Sequence, residues 1–100
     1  MIELGGNIEL VGFSELEPAS MIVLKKIIGN YARRYTELSS EYEKLSLTLK
    51  PVHQIEGSQK YEIHAKVLKA GKPVTSEITD KNLYYAIDSV LKKIEKMLSK

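Results

Sequence analysis

The strongest hydrophobic pattern in the chain lies in its last quarter. From Thr79 to Lys100, apolar residues recur at Leu83, Ile87, Val90, Leu91, Ile94, Met97 and Leu98. Steps of three and four draw one apolar stripe along an α-helix. Asp80 stands where a side-chain cap would satisfy the first free amides, so the helix is predicted to begin just after it. A second helical pattern opens at Glu17-Pro18, because proline is tolerated at the first helical position. There Met21, Leu24, Ile28, Tyr31, Tyr35 and Leu38 repeat the same steps over about five turns. Gly29 interrupts this run at a cost of about 1 kcal/mol against alanine, and is expected to mark close packing or a bend.

Elsewhere the period is two. Ile8, Leu10 and Gly12 share one face of a short strand over Ile8–Phe13, after a turn at Gly5-Gly6-Asn7. Leu45, Leu47 and Leu49 alternate with Ser46, Thr48 and Lys50, and Pro51 is expected to end that strand. A loop over residues 55–59 precedes Tyr61, Ile63, Ala65 and Val67, which alternate with Glu62, His64 and Lys66. Ala70-Gly71-Lys72-Pro73 reads as a hairpin turn, and Val74, Ser76 and Ile78 form one more strand. The order is βαβββα. A helix between the first two strands makes them parallel by a right-handed crossover, and the hairpins that follow run antiparallel. Each helix has one apolar face, so the chain is expected to be α+β, with two helices packed on one face of a four-stranded mixed sheet. Leu45, Leu47, Leu49, Ile63, Ile87 and Ile94 are its predicted core.

One hundred residues suit a single domain over 1–100, large enough to bury roughly two-thirds of its unfolded surface. With no cysteine, disulfide and thiol chemistry are excluded and a reducing cytoplasm is the expected location. Apolar runs are far shorter than the roughly 20 residues of a membrane span, and the start lacks the order of a signal peptide. The net charge of +2 hides an asymmetry: residues 1–43 hold four basic against seven acidic residues, residues 44–100 eleven against six. One basic face would account for it, as would chance in a lysine-rich chain.

Candidate catalytic chemistry is sparse. His53 follows a proline near a loop and His64 sits on the polar face of a strand, and neither has the cysteine, HExxH or acidic company of a metal site. Gly5-Gly6 lacks the spacing of a phosphate loop, and the serines have no partnered base. The sequence therefore points away from an enzyme and calls for no cofactor, metal or small-molecule substrate. Tyr31, Tyr35 and Tyr61 lie on inward stripes and are expected in the core. Tyr84 borders the stripe of the last helix, while Tyr85 turns outward and is expected to be partly exposed.

Cations remain. Lys25, Lys26, Arg33 and Arg34 lie off the stripe of the first helix, and Lys81, Lys92, Lys93, Lys96 and Lys100 off that of the last. Such residues are either a solvated face or, with the helices side by side, one outer surface that could track phosphates. Cations at helical spacing give affinity for a polyanion without sequence readout.

Asn82-Leu83-Tyr84-Tyr85-Ala86-Ile87-Asp88, followed by Lys93-Ile94-Glu95-Lys96 and Leu98, resembles the signature that closes the ribosome hibernation-promoting factors, also called ribosome-associated translation inhibitors. The matching words cover about a sixth of the chain. Asn82 stands where the family usually has an acid, and Tyr85 where it has a small residue. The resemblance implies the βαβββα fold and a factor that binds small-subunit RNA in the channel of messenger and transfer RNA, silencing translation without catalysis. It also implies basic contacts at Lys93, Lys96 and Lys100. Two other classes stay open. One is an αβ RNA-binding module acting away from the ribosome, although the GxxG loop and RNP aromatics are missing. The other is a protein-interaction or dimerisation domain that buries Phe13, Val11 and Leu68 on the sheet face opposite the helices.

Overall fold

The structure, a computed structural model, describes residues 2–4, 7–53 and 59–99. The elements run β1 (Ile2–Leu4), β2 (Ile8–Val11), α1 (Pro18–Leu38), β3 (Tyr42–His53), β4 (Gln59–Lys69), β5 (Lys72–Asp80) and α2 (Leu83–Leu98). They build one mixed sheet in the order β1-β2-β3-β4-β5. β2 and β3 pair in parallel, with Leu10 beside Leu47, and the other neighbours are antiparallel. The crossover through α1 and the later hairpins follow the sequence pattern.

The expected four strands are five. β1 folds back on β2, with Ile2 opposite Leu10 and Leu4 opposite Ile8, and both side chains pack against the core. Gly12 is not part of the strand. Its φ of +84° suits glycine, and a Cβ there would collide with the Leu49 carbonyl oxygen, so β2 ends where its backbone closes on Leu49 of β3. The turn at Gly5-Gly6, the loop over residues 55–58 and Lys100 lie outside the described residues. Gln59, expected in that loop, opens β4.

Pro51 does not end β3, which continues to His53. The Leu45 amide donates to the Asn7 carbonyl across the parallel pair. Alternate amides point the same way, so the nitrogens of Leu47, Leu49 and Pro51 also face the β2 side. The β2 register ends at Val11–Thr48, and the missing N–H of Pro51 therefore falls on open edge and breaks no ladder bond. Pro73, expected in the turn, likewise lies inside β5. The turn itself is Ala70–Gly71, whose φ values of 53° and 76° are the left-handed pair of a type I′ hairpin.

One buried cluster joins the helices to the sheet, and all six predicted core residues belong to it. Phe13 joins the same cluster, only 1% exposed, and Val11 is an exposed residue. Phe13 is thus lost from the apolar patch expected opposite the helices, while Val11 stays exposed and Leu68 half-buried. Both apolar stripes are buried except at Leu38 and Met97, which are exposed, and Ala32 and Ala86 are buried as well. Leu38 is the last residue of α1, whereas Met97 lies on the flank of α2 beside the buried Leu98. Around Gly29 an added Cβ would meet open space, so the residue marks neither a close contact nor crowding.

Candidate nucleic-acid interface

The two helices lie side by side and run parallel. Near their starts the Tyr84 hydroxyl donates to Ser20 Oγ at 3.1 Å; further on the Tyr35 hydroxyl donates to the Leu91 carbonyl at 2.7 Å. α1 begins on Pro18, with Glu17 before it in extended conformation and offering no side-chain cap. α2 is capped by Asn82, not by Asp80 as the sequence suggested. The Asn82 side chain accepts from the Tyr85 amide at 3.0 Å. Asp80 instead accepts from the Asn82 amide at 2.9 Å, turning the chain from β5 into the helix. Lys96 sits in the last turn of α2, where a cation suits the helix dipole.

Contacts along the seam fix how each helix is rotated. Tyr84, Asp88, Leu91 and Glu95 mark the side of α2 that meets α1. At about 100° per residue, Tyr85, Ser89, Lys92 and Lys96 then form the outermost stripe of α2, and Lys93 falls on the flank away from α1. On α1, Lys26 and Arg33 point outward with Asn30 and Glu37, and Lys25 lies on the flank away from α2. Lys25, Lys26, Arg33, Lys81, Lys92, Lys93 and Lys96 are all exposed and form no ion pair among the described residues. Tyr85 is 58% exposed and Tyr84 40%, so both reach the surface and Tyr85 more so.

The surface between the stripes is not the continuous cationic patch the sequence suggested. Arg34 Nη1 lies 3.2 Å from Glu95 Oε1, and its guanidinium sits 5.1 Å from the Tyr31 ring centroid. The Tyr31 hydroxyl donates to Asp88 Oδ1 at 2.8 Å. Arg34 thus balances a seam acid, and two cationic stripes flank a near-neutral strip. Sequence reasoning missed the roles of Asp88 and Glu95. Their spacing of seven put them on one side of α2, but only the helix pairing shows that this side meets α1.

Tyr31 and Tyr35 are buried, as expected, and their hydroxyls add bonds between the helices. Burial, reinforced by the hydrogen bond to Asp88, pushes the Tyr31 phenol up to about 12. Burial also raises Tyr35 and Tyr42. An unfolded chain ionises its phenols near pH 10, so between about 10 and 12 the folded state holds more protons. Stability complete below pH 10 is therefore lost as pH rises through that window. Urea melts on either side of it should show the fall, and Tyr31→Phe should lessen it. Unchanged stability across the window would mean that these phenols ionise freely in the folded state.

Chemistry elsewhere is limited. No group of three or more His, Cys, Asp or Glu side chains could hold a metal among the described residues. On the open sheet face His64 Nδ1 lies 3.2 Å from Glu77 Oε2, and Nε2 lies 3.1 Å from Glu62 Oε2 without hydrogen-bond alignment. Its two nitrogens face different carboxylates, so the three groups do not converge on one point. A cavity of about 1000 Å³ opens where both helices start, lined by Gly12, Glu15, Tyr61, Lys81 and Tyr84 among others. Among the described residues that line it, Ser20 accepts a hydrogen bond from the Tyr84 hydroxyl. No helix among the described residues is long and apolar enough to cross a membrane.

Residues 22–100 match the model of the family described as Sigma 54 modulation protein / S30EA ribosomal protein. That match begins inside α1, so β1 and β2 precede it. No curated protein matches the chain. Among solved structures, the chain is similar to a ribosomal subunit interface protein from Coxiella burnetii, at 16% identity and a TM-score of 0.60. The likeness covers 93% of this chain and 91% of that one. It is also similar to the N-terminal domain of Protein Y from Thermus thermophilus, at 20% identity and a TM-score of 0.59, over 92% of each chain. Identities this low speak for the fold.

Proposed function

Because the chain belongs to the Sigma 54 modulation protein / S30EA ribosomal protein family, we propose that it is a ribosome-associated factor that lays its helix face on small-subunit RNA and silences translation without catalysis. The observation that carries this reading is the outer stripe of α2, where the exposed Tyr85 ring shares one line with Lys92 and Lys96. Ammonium groups at helical spacing meet phosphates, and a ring among them stacks on a base or sugar. Lys26 and Arg33 of α1 extend the contact across the seam. Lys25, Lys81 and Lys93 border it, and Arg34 holds Glu95 in place rather than meeting phosphate. A ribosomal subunit interface protein among the structures of this fold supports the choice of partner. The cytoplasm is the corresponding location.

Co-sedimentation with purified small subunits over a salt series tests the proposal. Binding should be tight at low salt and fall steeply as salt rises. Tyr85→Ala should weaken it while leaving the melting temperature nearly unchanged. Tyr84→Ala should instead lower stability, because it removes the bond to Ser20 between the helices. Absence of binding at every salt concentration would refute the assignment. Equal affinity for small subunits and unrelated structured RNA would favour a general RNA-binding module.

A further inference from the structure

β5 is an edge strand, and its free side has a definite chemistry. Alternation from the Leu45–Asn7 bond carries through the registers of β3 with β4 and β4 with β5. By that alternation the even residues of β5 bond to β4, and the odd residues Pro73, Thr75, Glu77 and Thr79 turn their backbone groups outward. Pro73 has no N–H, so the outward donors are the amides of Thr75, Glu77 and Thr79. On the helix side of the same strand, the row reads Lys72, Val74, Ser76, Ile78, Asp80: cation, apolar, small, apolar, anion. Val74 and Ile78 are only partly buried against the core. α2 packs over β5 and leaves Met97, 39% exposed, on its flank away from α1.

We infer that the β5 edge pairs with β5 of a second copy of this chain, antiparallel, about a two-fold axis at Ser76. This register sets Lys72 opposite Asp80, Val74 opposite Ile78 and Ser76 opposite itself, with the first two pairs each occurring twice. On the backbone, Thr75 and Glu77 exchange amide–carbonyl bonds, and the Thr79 amide donates to the carbonyl of Pro73. Every outward donor thus finds an acceptor, and the proline supplies one of them. Shifting the register by two residues in one direction places Glu77 against Glu77 and Val74 against Asp80. Shifting it the other way sets Lys72 against Ile78 and Val74 against Ser76. Only the centred register matches charge with charge and apolar with apolar. The charged ends limit the pairing to this length, which protects the edge from open-ended addition.

A two-fold axis perpendicular to the sheet keeps both helix pairs on one face of a continuous sheet. The dimer would cover the Met97 flank and present two outer α2 stripes side by side. The pairing does not rest on the proposed ribosome binding and can be tested without any RNA.

Analytical ultracentrifugation over a wide concentration range should show a reversible monomer–dimer equilibrium. Thr75→Pro removes an amide that faces away from β4, so the monomer fold, checked by circular dichroism, should survive while the dimer is lost. Lys72→Glu should also abolish the dimer, and adding Asp80→Lys to it should restore it. Hydrogen exchange at high concentration should protect the amides of Thr75, Glu77 and Thr79, and dilution should release them. A chain that stays monomeric throughout, or a dimer that survives Thr75→Pro, overturns the inference.

Discussion

Leu47→Ala should cost about 2–5 kcal/mol of folding stability, among the largest losses expected from a single substitution here. Leu47 is fully buried on β3, the central strand, with Leu10 beside it on one side and Ala65 on the other. Both helices pack on that face of the sheet, so the void left by the missing methyls is walled by the sheet and by side chains from α1 and α2. Close-packed interiors collapse only partly around such a void, which adds a cavity term to the lost transfer energy. Urea unfolding should show a lower midpoint with an unchanged slope. A loss below about 1 kcal/mol would mean that the site repacks freely, contrary to its place among regular elements.

That prediction could be framed from sequence because the sheet interior follows period two without interruption. Leu45, Leu47 and Leu49, then Ile63, Ala65 and Val67, are the buried rows of β3 and β4. Errors collected where local pattern and tertiary position part company. Ile2–Leu4 is too short to show a period, and only its pairing with β2 makes it a strand. Pro51 looked like a terminator and Pro73 like part of a turn, because whether a missing N–H faces a neighbouring strand is decided by the sheet order and not by the local pattern. Leu38 and Met97 continue the helical stripes, yet Leu38 ends its helix uncovered and Met97 falls on the flank of α2 while Leu98 is buried.

The candidate interface was legible in the same uneven way. Periodicity set Tyr85 outward and Tyr84 at the border, and the exposures of the two rings agree. The rotation of one helix against the other is not a local property, so the sequence could not show Arg34 drawn onto Glu95 or Asp88 taking the Tyr31 hydroxyl. Resemblance placed Lys93 and Lys96 together as basic positions. Geometry separates them, with Lys96 on the outer stripe and Lys93 on the flank.

This separation sharpens the binding prediction of largest expected effect. Replacing Lys92, Lys93 and Lys96 together by Gln should weaken small-subunit binding strongly at low salt. Each phosphate that no longer meets a cation should lower the slope of log affinity against log salt by about 0.9. If all three ammonium groups met phosphate, the slope would fall by about 2.7. The helix geometry predicts less, because only Lys92 and Lys96 share the outer line with Tyr85. The fall should be close to two units, with Lys92→Gln and Lys96→Gln each giving about one and Lys93→Gln little. Glutamine removes the charge and keeps a helix preference close to that of lysine, so melting temperatures should hold. A neighbouring acid cannot account for silence at Lys92 or Lys96, since neither forms an ion pair among the described residues. An unchanged slope in the triple variant would identify the outer face of α2 as solvated surface and move the search for the RNA contact to Lys26 and Arg33 on α1. A dominant effect of Lys93→Gln would show instead that RNA approaches from the β5 side of α2, over the same flank that dimerisation would cover.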